Sequence, residues 1–142
     1  MEEVALSYDE MLDKVEAQMH EIGCTEFETS GFLVNGLYVR TILIPAGSYL
    51  TSLVHKTDHP FILSAGEIII YTQEGERHLK APFIDVTPAG TRRFAKAVTD
   101  CLWTTIHRTD KQTESEIREE TVFESMNPLL KLNDKRNTEI KQ

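Results

Sequence analysis

Hydrophobic positions change their spacing along this chain. Tyr8, Met11, Leu12, Val15, Met19 and Ile22 recur every three or four residues, which is the stripe of an amphipathic helix over residues 8–22. Ser7 and Glu10 match a capping box, Asp9 and Glu10 suit the positive end of a helix, and Gly23 predicts its stop. From Glu26 to His107 the pattern shortens to β-rich runs: YVRTILI, YLTSLVH, FILS, EIIIYT, RHLKA, FIDV, RRFAKAV and CLWTTIH. Asn35-Gly36 between Val34 and Leu37 predicts a two-residue hairpin, because both residues tolerate the positive φ angles of that turn. Pro45-Ala46-Gly47, Ala65-Gly66-Glu67, Glu74-Gly75 and Pro88-Ala89-Gly90 punctuate the other runs. About eight or nine short strands without a helix between them predict an all-β sandwich or small barrel. Ile117, Glu120 and Val122 suggest a short helix within residues 112–123, and the polar tail beyond Met126 keeps only the LLKL run, residues 129–132, as an apolar segment. The chain thus reads as a helical segment (1–30), a β-barrel (31–109) and a C-terminal helix with a polar tail (110–142).

Charge sharpens this division. The 142 residues carry 15 basic and 23 acidic side chains, a formal charge of -8. Residues 1–30 hold nine acids and the single base Lys14, whereas residues 31–109 hold six acids against eight bases. The barrel is therefore mildly basic inside an acidic protein, which suits an anionic small molecule and argues against nucleic acid as a partner. The N-terminal acids have a simpler reading as the solvated face of the helix. No apolar run is long enough for a membrane span, and the acidic N-terminus lacks the basic-then-apolar layout of a secretion signal. Cys24 and Cys101 are too few for a disulfide framework, so a reducing compartment, the cytoplasm, is expected. No P-loop, dinucleotide fingerprint, calcium loop or G-x-S-x-G elbow is present.

The tract from Gly47 to Gly66, GSYLTSLVHKTDHPFILSAG, carries more information. It resembles the first motif of the cupin superfamily, G(X)5HXH(X)3-4E(X)6G, without a gap. Gly47 and Gly66 fall on the two glycines, His55 on the second histidine, His59 on the glutamate and Leu53 on the first histidine. The second motif, G(X)5PXG(X)2H(X)3N, is approached at Pro88-Ala89-Gly90, with Pro82 on its glycine, Arg93 on its histidine and Ala97 on its asparagine. The resemblance covers roughly residues 36–107 and implies a double-stranded β-helix, the jelly-roll barrel. Within it, the HKTxHP segment and the late W-x-T-x-H segment are similar to those of small cupin-like proteins of tailed bacteriophages. That implies host cytoplasm as the location, or a virus particle.

The resemblance also implies a divalent transition metal, but only His55 keeps its ligand identity here. His55 and His59 are four residues apart, so on a regular strand they share a face, and His107 at the end of the CLWTTIH run can join them as a three-histidine metal set. Ordinary polar residues at strand ends would give the same pattern. Arg93 and Arg40 point to a different use, because a guanidinium beside imidazoles suits a carboxylate or phosphate. Alternation along a strand lets only one of Arg92 and Arg93 face inward, and the motif selects Arg93. Tyr38 and Trp103 are expected as pocket wall, and Glu67 is the one nearby carboxylate. Three functions are consistent with these residues. The first is a non-catalytic small-molecule-binding barrel; the others are a metal-dependent dioxygenase or isomerase and a structural component of a phage particle. The resemblance also implies a homo-oligomer, a dimer or larger, because cupin barrels commonly pair through their sheet edges, and exchanged N-terminal segments would then cover those edges.

Overall fold

Turn chemistry and strand alternation account for most of the architecture. In the computed structural model, residues 7–22, 27–52, 54–72 and 74–122 are described. Gly23, Cys24, Leu53 and the tail with its LLKL run lie outside them. Helix α1 spans Tyr8–Ile22, and the Glu10 amide donates to Ser7 Oγ at 3.2 Å, the capping contact expected of that serine. No described helix is long and apolar enough to cross a membrane.

Nine strands follow among the described residues: β1 (Thr29–Val34), β2 (Leu37–Ile44), β3 (Tyr49–Thr51), β4 (His59–Ala65), β5 (Glu67–Thr72), β6 (Gly75–Lys80), β7 (Phe83–Thr87), β8 (Phe94–Ala97) and β9 (Cys101–Arg108). β1 and β2 close on the Asn35-Gly36 turn, with φ of 48° and 77°. All pairings are antiparallel, in a five-stranded sheet of order β1-β2-β9-β4-β7 and a four-stranded sheet of order β3-β8-β5-β6. The pairs β5·β6, β4·β7, β3·β8 and β2·β9 nest inside one another and alternate between the sheets. A long hairpin wound in this way is a jelly roll.

Period-two alternation turns one face of each sheet inward. On β4, His59, Phe61 and Leu63 are buried while Pro60 and Ser64 are exposed. The core gathers Ile42 and Ile44 from β2, Phe61 and Leu63 from β4, Ile68 and Ile70 from β5, and Ala95 and Ala97 from β8. Phe61 and Trp103 stack at 4.2 Å between ring centroids.

Helix α2, Glu114–Thr121, is shorter than the span expected from sequence but lies within it. Thr113 caps it by accepting from the Glu116 amide, and the Thr113 hydroxyl donates to Glu116 Oε1 at 2.8 Å. Ile117 and Thr121 are its buried positions. The helix is tied to the loop before β4: the Lys56 amide donates to the Thr121 carbonyl at 2.7 Å, and Lys56 Nζ donates to the Glu119 carbonyl at 3.1 Å. Its first turn is held by Tyr38, whose hydroxyl donates to Glu114 Oε1 at 2.9 Å.

Candidate functional site

Two strand-end positions and one isolated bridge bring His55, His59 and His107 together. His59 opens β4 and faces inward by alternation. His107 lies near the end of β9, and continuing the Phe61–Thr105 pairing by one inward step sets it beside His59. His55 arrives differently from the sequence expectation. β3 stops at Thr51, and His55 makes a single bridge with Val122 just after α2. It therefore shares no regular strand with His59. The two meet because the chain bends at Lys56-Thr57 and because the end of α2 holds the preceding segment.

The ring centroids lie 4.4 Å apart for His55–His59, 4.7 Å for His55–His107 and 4.3 Å for His59–His107. One ring nitrogen from each residue falls within 4.8 Å of the other two. His59 Nδ1 is 3.2 Å from the Thr57 carbonyl, which can only accept, so Nδ1 carries the proton and leaves Nε2 with its lone pair. His107 Nε2 is buried and has no hydrogen-bond partner among the described residues.

Electrostatics keep the cluster uncharged. Burial, then the neighbouring His59 and His107, lowers the His55 pKa to about 3, with further lowering from Arg40 and Arg118. Burial, then His59 and Arg40, lowers that of His107 to about 4. His59 is lowered as well, chiefly by burial, with the Thr57 carbonyl opposing and Arg93 reinforcing the shift. At neutral pH all three imidazoles are neutral, the form that binds metal. The buried, partnerless His107 Nε2 and the all-nitrogen donor set fit a borderline transition metal such as zinc.

His55 and His59 also stand at one wall of a cavity of about 100 Å³. Its other lining is mostly apolar, from Ile42, Ile44, Leu50, Ile68, Ile70, Ala95 and Trp103, with Ser52, Thr87, Thr91, Thr105 and Arg93 as polar positions. Arg93 Nη1 donates to Thr87 Oγ1 at 3.1 Å, and its guanidinium carbon lies 5.7 Å from the Phe61 ring centroid. The Arg93 amide donates to Ser52 Oγ at 2.8 Å, which fixes the backbone beneath the side chain.

Trp103 stands in the wall of this cavity. Tyr38 and Arg40 lie on the inward side of β2 but outside this lining. Tyr38 anchors α2, and its hydroxyl pKa is pushed up to about 12 by burial and by the Glu114 carboxylate. Arg40 acts at longer range through its charge on His55 and His107. Glu67 is absent from the lining; it pairs with Lys80 across the β5–β6 ladder. Arg92 and Arg93 do not alternate as strand residues, because β8 begins only at Phe94, and Arg92 is buried too. Sequence reasoning gave α2 no part in the site; the Thr113-x-x-Glu116 capping box was its available signal.

No protein-family model and no curated protein sequence matches the chain. Solved structures do resemble it. KdgF from Halomonas sp. is 14% identical with a TM-score of 0.52, over 62% of this chain and 84% of that one. A cupin-2 domain containing protein from Shewanella frigidimarina is 15% identical with a TM-score of 0.49, over 67% and 97% of the two chains. A cupin superfamily protein from Desulfitobacterium hafniense is 12% identical with a TM-score of 0.47, over 61% and 83%. Identity this low speaks to fold and not to activity. With its nested strand pairs, the chain folds as a jelly-roll β-barrel, a fold it shares with KdgF.

Proposed function

We propose that this protein binds a small anionic molecule inside the barrel, at a divalent metal centre held by His55, His59 and His107, with Arg93 receiving the anion. The histidine cluster carries this reading: three neutral imidazoles converge, and one buried nitrogen has no hydrogen-bond partner among the described residues. A bound metal would supply Lewis-acid polarisation at that point. The chain's own residues do the rest. The Thr57 carbonyl holds the His59 tautomer, Thr87 orients the Arg93 guanidinium, and the Ile, Leu and Trp103 wall supplies an apolar surface. Arg40, Arg93 and Arg118 add positive potential around the imidazoles, which favours a carboxylate or phosphate beside a cation.

A cavity of about 100 Å³ seats a group on the order of benzene or smaller. A short carboxylate with an apolar body matches the lining. Among the described residues none of the cavity lining is Asp or Glu, so none of them places a carboxylate there as general acid or base. This favours binding over turnover. The phage-like segments add a setting in which the protein acts free in the infected cell, and copurification with virions would contradict that.

Elemental analysis of protein purified without a metal-affinity tag tests the first half of the proposal. One metal ion per chain, lost in a His55→Ala/His59→Ala variant, is expected; protein that neither retains nor takes up a transition metal would refute it. Titration of the metal-loaded protein with acetate and butyrate tests the second half. Arg93→Ala is expected to weaken binding by about 10- to 100-fold, the worth of one charge-assisted hydrogen bond. An unchanged affinity would remove Arg93 from the site.

A further inference from the structure

Two of the three clustered histidines are fixed by sheet ladders. His59 pairs with Thr87 across β4 and β7, and His107 pairs with Tyr38 across β2 and β9. His55 lies in no strand. Its carbonyl accepts from the Gly90 amide at 2.9 Å, and its bridge is to Val122, the C-cap of α2. Helix α2 is itself a weak element. Its 8 residues fall short of the ~12–15 that an isolated helix needs, and Ile117 is its only apolar side chain. Glu119 and Glu120 add negative charge at the C-terminal end, where the helix dipole is already negative. Contacts with the barrel offset these weaknesses. Lys56 Nζ donates to the Glu119 carbonyl at 3.1 Å and the Lys56 amide to the Thr121 carbonyl at 2.7 Å, so the residue after His55 caps the end of the helix. At the other end the Tyr38 hydroxyl donates to Glu114 Oε1 at 2.9 Å. Gly31 makes room for that reach, since a Cβ there would lie 2.9 Å from the hydroxyl oxygen.

We propose that α2 is a latch on the histidine cluster, with Tyr38 as its positioning residue: docked, the helix holds His55 beside His59 and His107, and released, it lets that imidazole leave. The latch rests on the metal centre proposed above and adds its regulation. Because β4 and β9 carry the other two imidazoles, release removes one ligand and leaves the barrel folded. A helix held by one buried isoleucine, a capping threonine and a few hydrogen bonds belongs to the low-stability end of a fold. Its release is therefore accessible without global unfolding. Linkage makes the coupling mutual. By the factor with which docked α2 tightens metal binding, bound metal tightens the docking of α2. The charge of Arg118, on the same helix, is felt at His55 as well, which places α2 against this ligand.

Acylation of the metal-free protein with diethylpyrocarbonate, mapped to each histidine by mass spectrometry, tests the latch without any metal. Tyr38→Phe and Glu114→Ala remove the hydroxyl–carboxylate contact from opposite partners. Each should raise the His55 rate about 10-fold while His59 and His107 stay unchanged. Glu114→Gln keeps a side-chain oxygen that accepts from Tyr38, and it should return the rate close to that of the wild type. Zinc titration should then give a dissociation constant about 10-fold higher in Tyr38→Phe and Glu114→Ala. Zinc should also slow hydrogen exchange at the wild-type Lys56 and Val122 amides. A His55 rate unchanged in both variants overturns the proposal. So does a rise shared by all three histidines, which would mean general loosening of the barrel. Zinc held equally tightly by the wild type and every variant overturns it too, while leaving the metal centre in place. A chain that takes up no zinc yet shows the His55-selective rise refutes the metal centre and upholds the latch.

Discussion

Replacing Gly66 with alanine is expected to destabilise the barrel by about 3 kcal/mol or more, while the same change at Gly47 costs only about 1 kcal/mol. Both glycines have positive φ, +93° and +83°. Both also occupy the glycine positions of the first cupin-like motif. They differ in surroundings. A Cβ on Gly66 would overlap the Asp100 carbonyl oxygen and press on Cys101 Sγ, whereas one on Gly47 meets nothing within 4 Å. The overlapped atoms cannot easily move. Cys101 is fully buried, its thiol lies within hydrogen-bond reach of the Glu67 and Thr99 carbonyls, and it opens the strand that carries His107. Gly47→Ala thus measures backbone strain alone, and Gly66→Ala measures strain plus a displaced β9. Urea unfolding of the two metal-free variants makes the comparison. Equal losses would mean that the approach of Gly66 to Asp100 does not constrain the fold.

Metal-free protein should lose stability as pH falls from about 6.5 towards 3. The sign follows from proton binding. A histidine whose folded pKa lies below its unfolded value of about 6.5 binds its proton more readily in the unfolded chain. Acid draws the equilibrium towards unfolding from about pH 6.5 down to about 3 through His55 and down to about 4 through His107, and has no such effect above that window. Each pH unit in the window costs about 1.4 kcal/mol per such group. The melting temperature should therefore drop by more than about 10 °C between pH 7 and pH 4.5. A His55→Gln/His107→Gln variant should show a markedly shallower fall, since ordinary carboxylates contribute equally to both proteins. Parallel curves would show that the two imidazoles are not held neutral by burial.

Local chemistry carried far into this fold, and long-range packing carried the remainder. Tyr8–Ile22, the Asn35-Gly36 hairpin and the succession of short strands follow from period, capping and turn residues, which act within a few positions of one another. The motif spacing also brought His55, His59 and Arg93 to one cavity. What could not be read was why His55 gets there. Its position depends on a bridge to Val122, sixty-seven residues away in sequence, and no periodicity encodes that contact. Tyr38 shows the same limit: an inward aromatic on a strand reads as pocket wall until a helix supplies Glu114 as its partner.

X-ray absorption at the zinc edge of the 142-residue chain loaded with one equivalent of zinc tests directly whether three imidazoles share one metal ion. Three imidazole nitrogens at about 2.0–2.1 Å, with their outer-ring scattering, are expected, falling to two in His107→Ala. A shell that contains sulfur, or an imidazole count unchanged by that substitution, would contradict it.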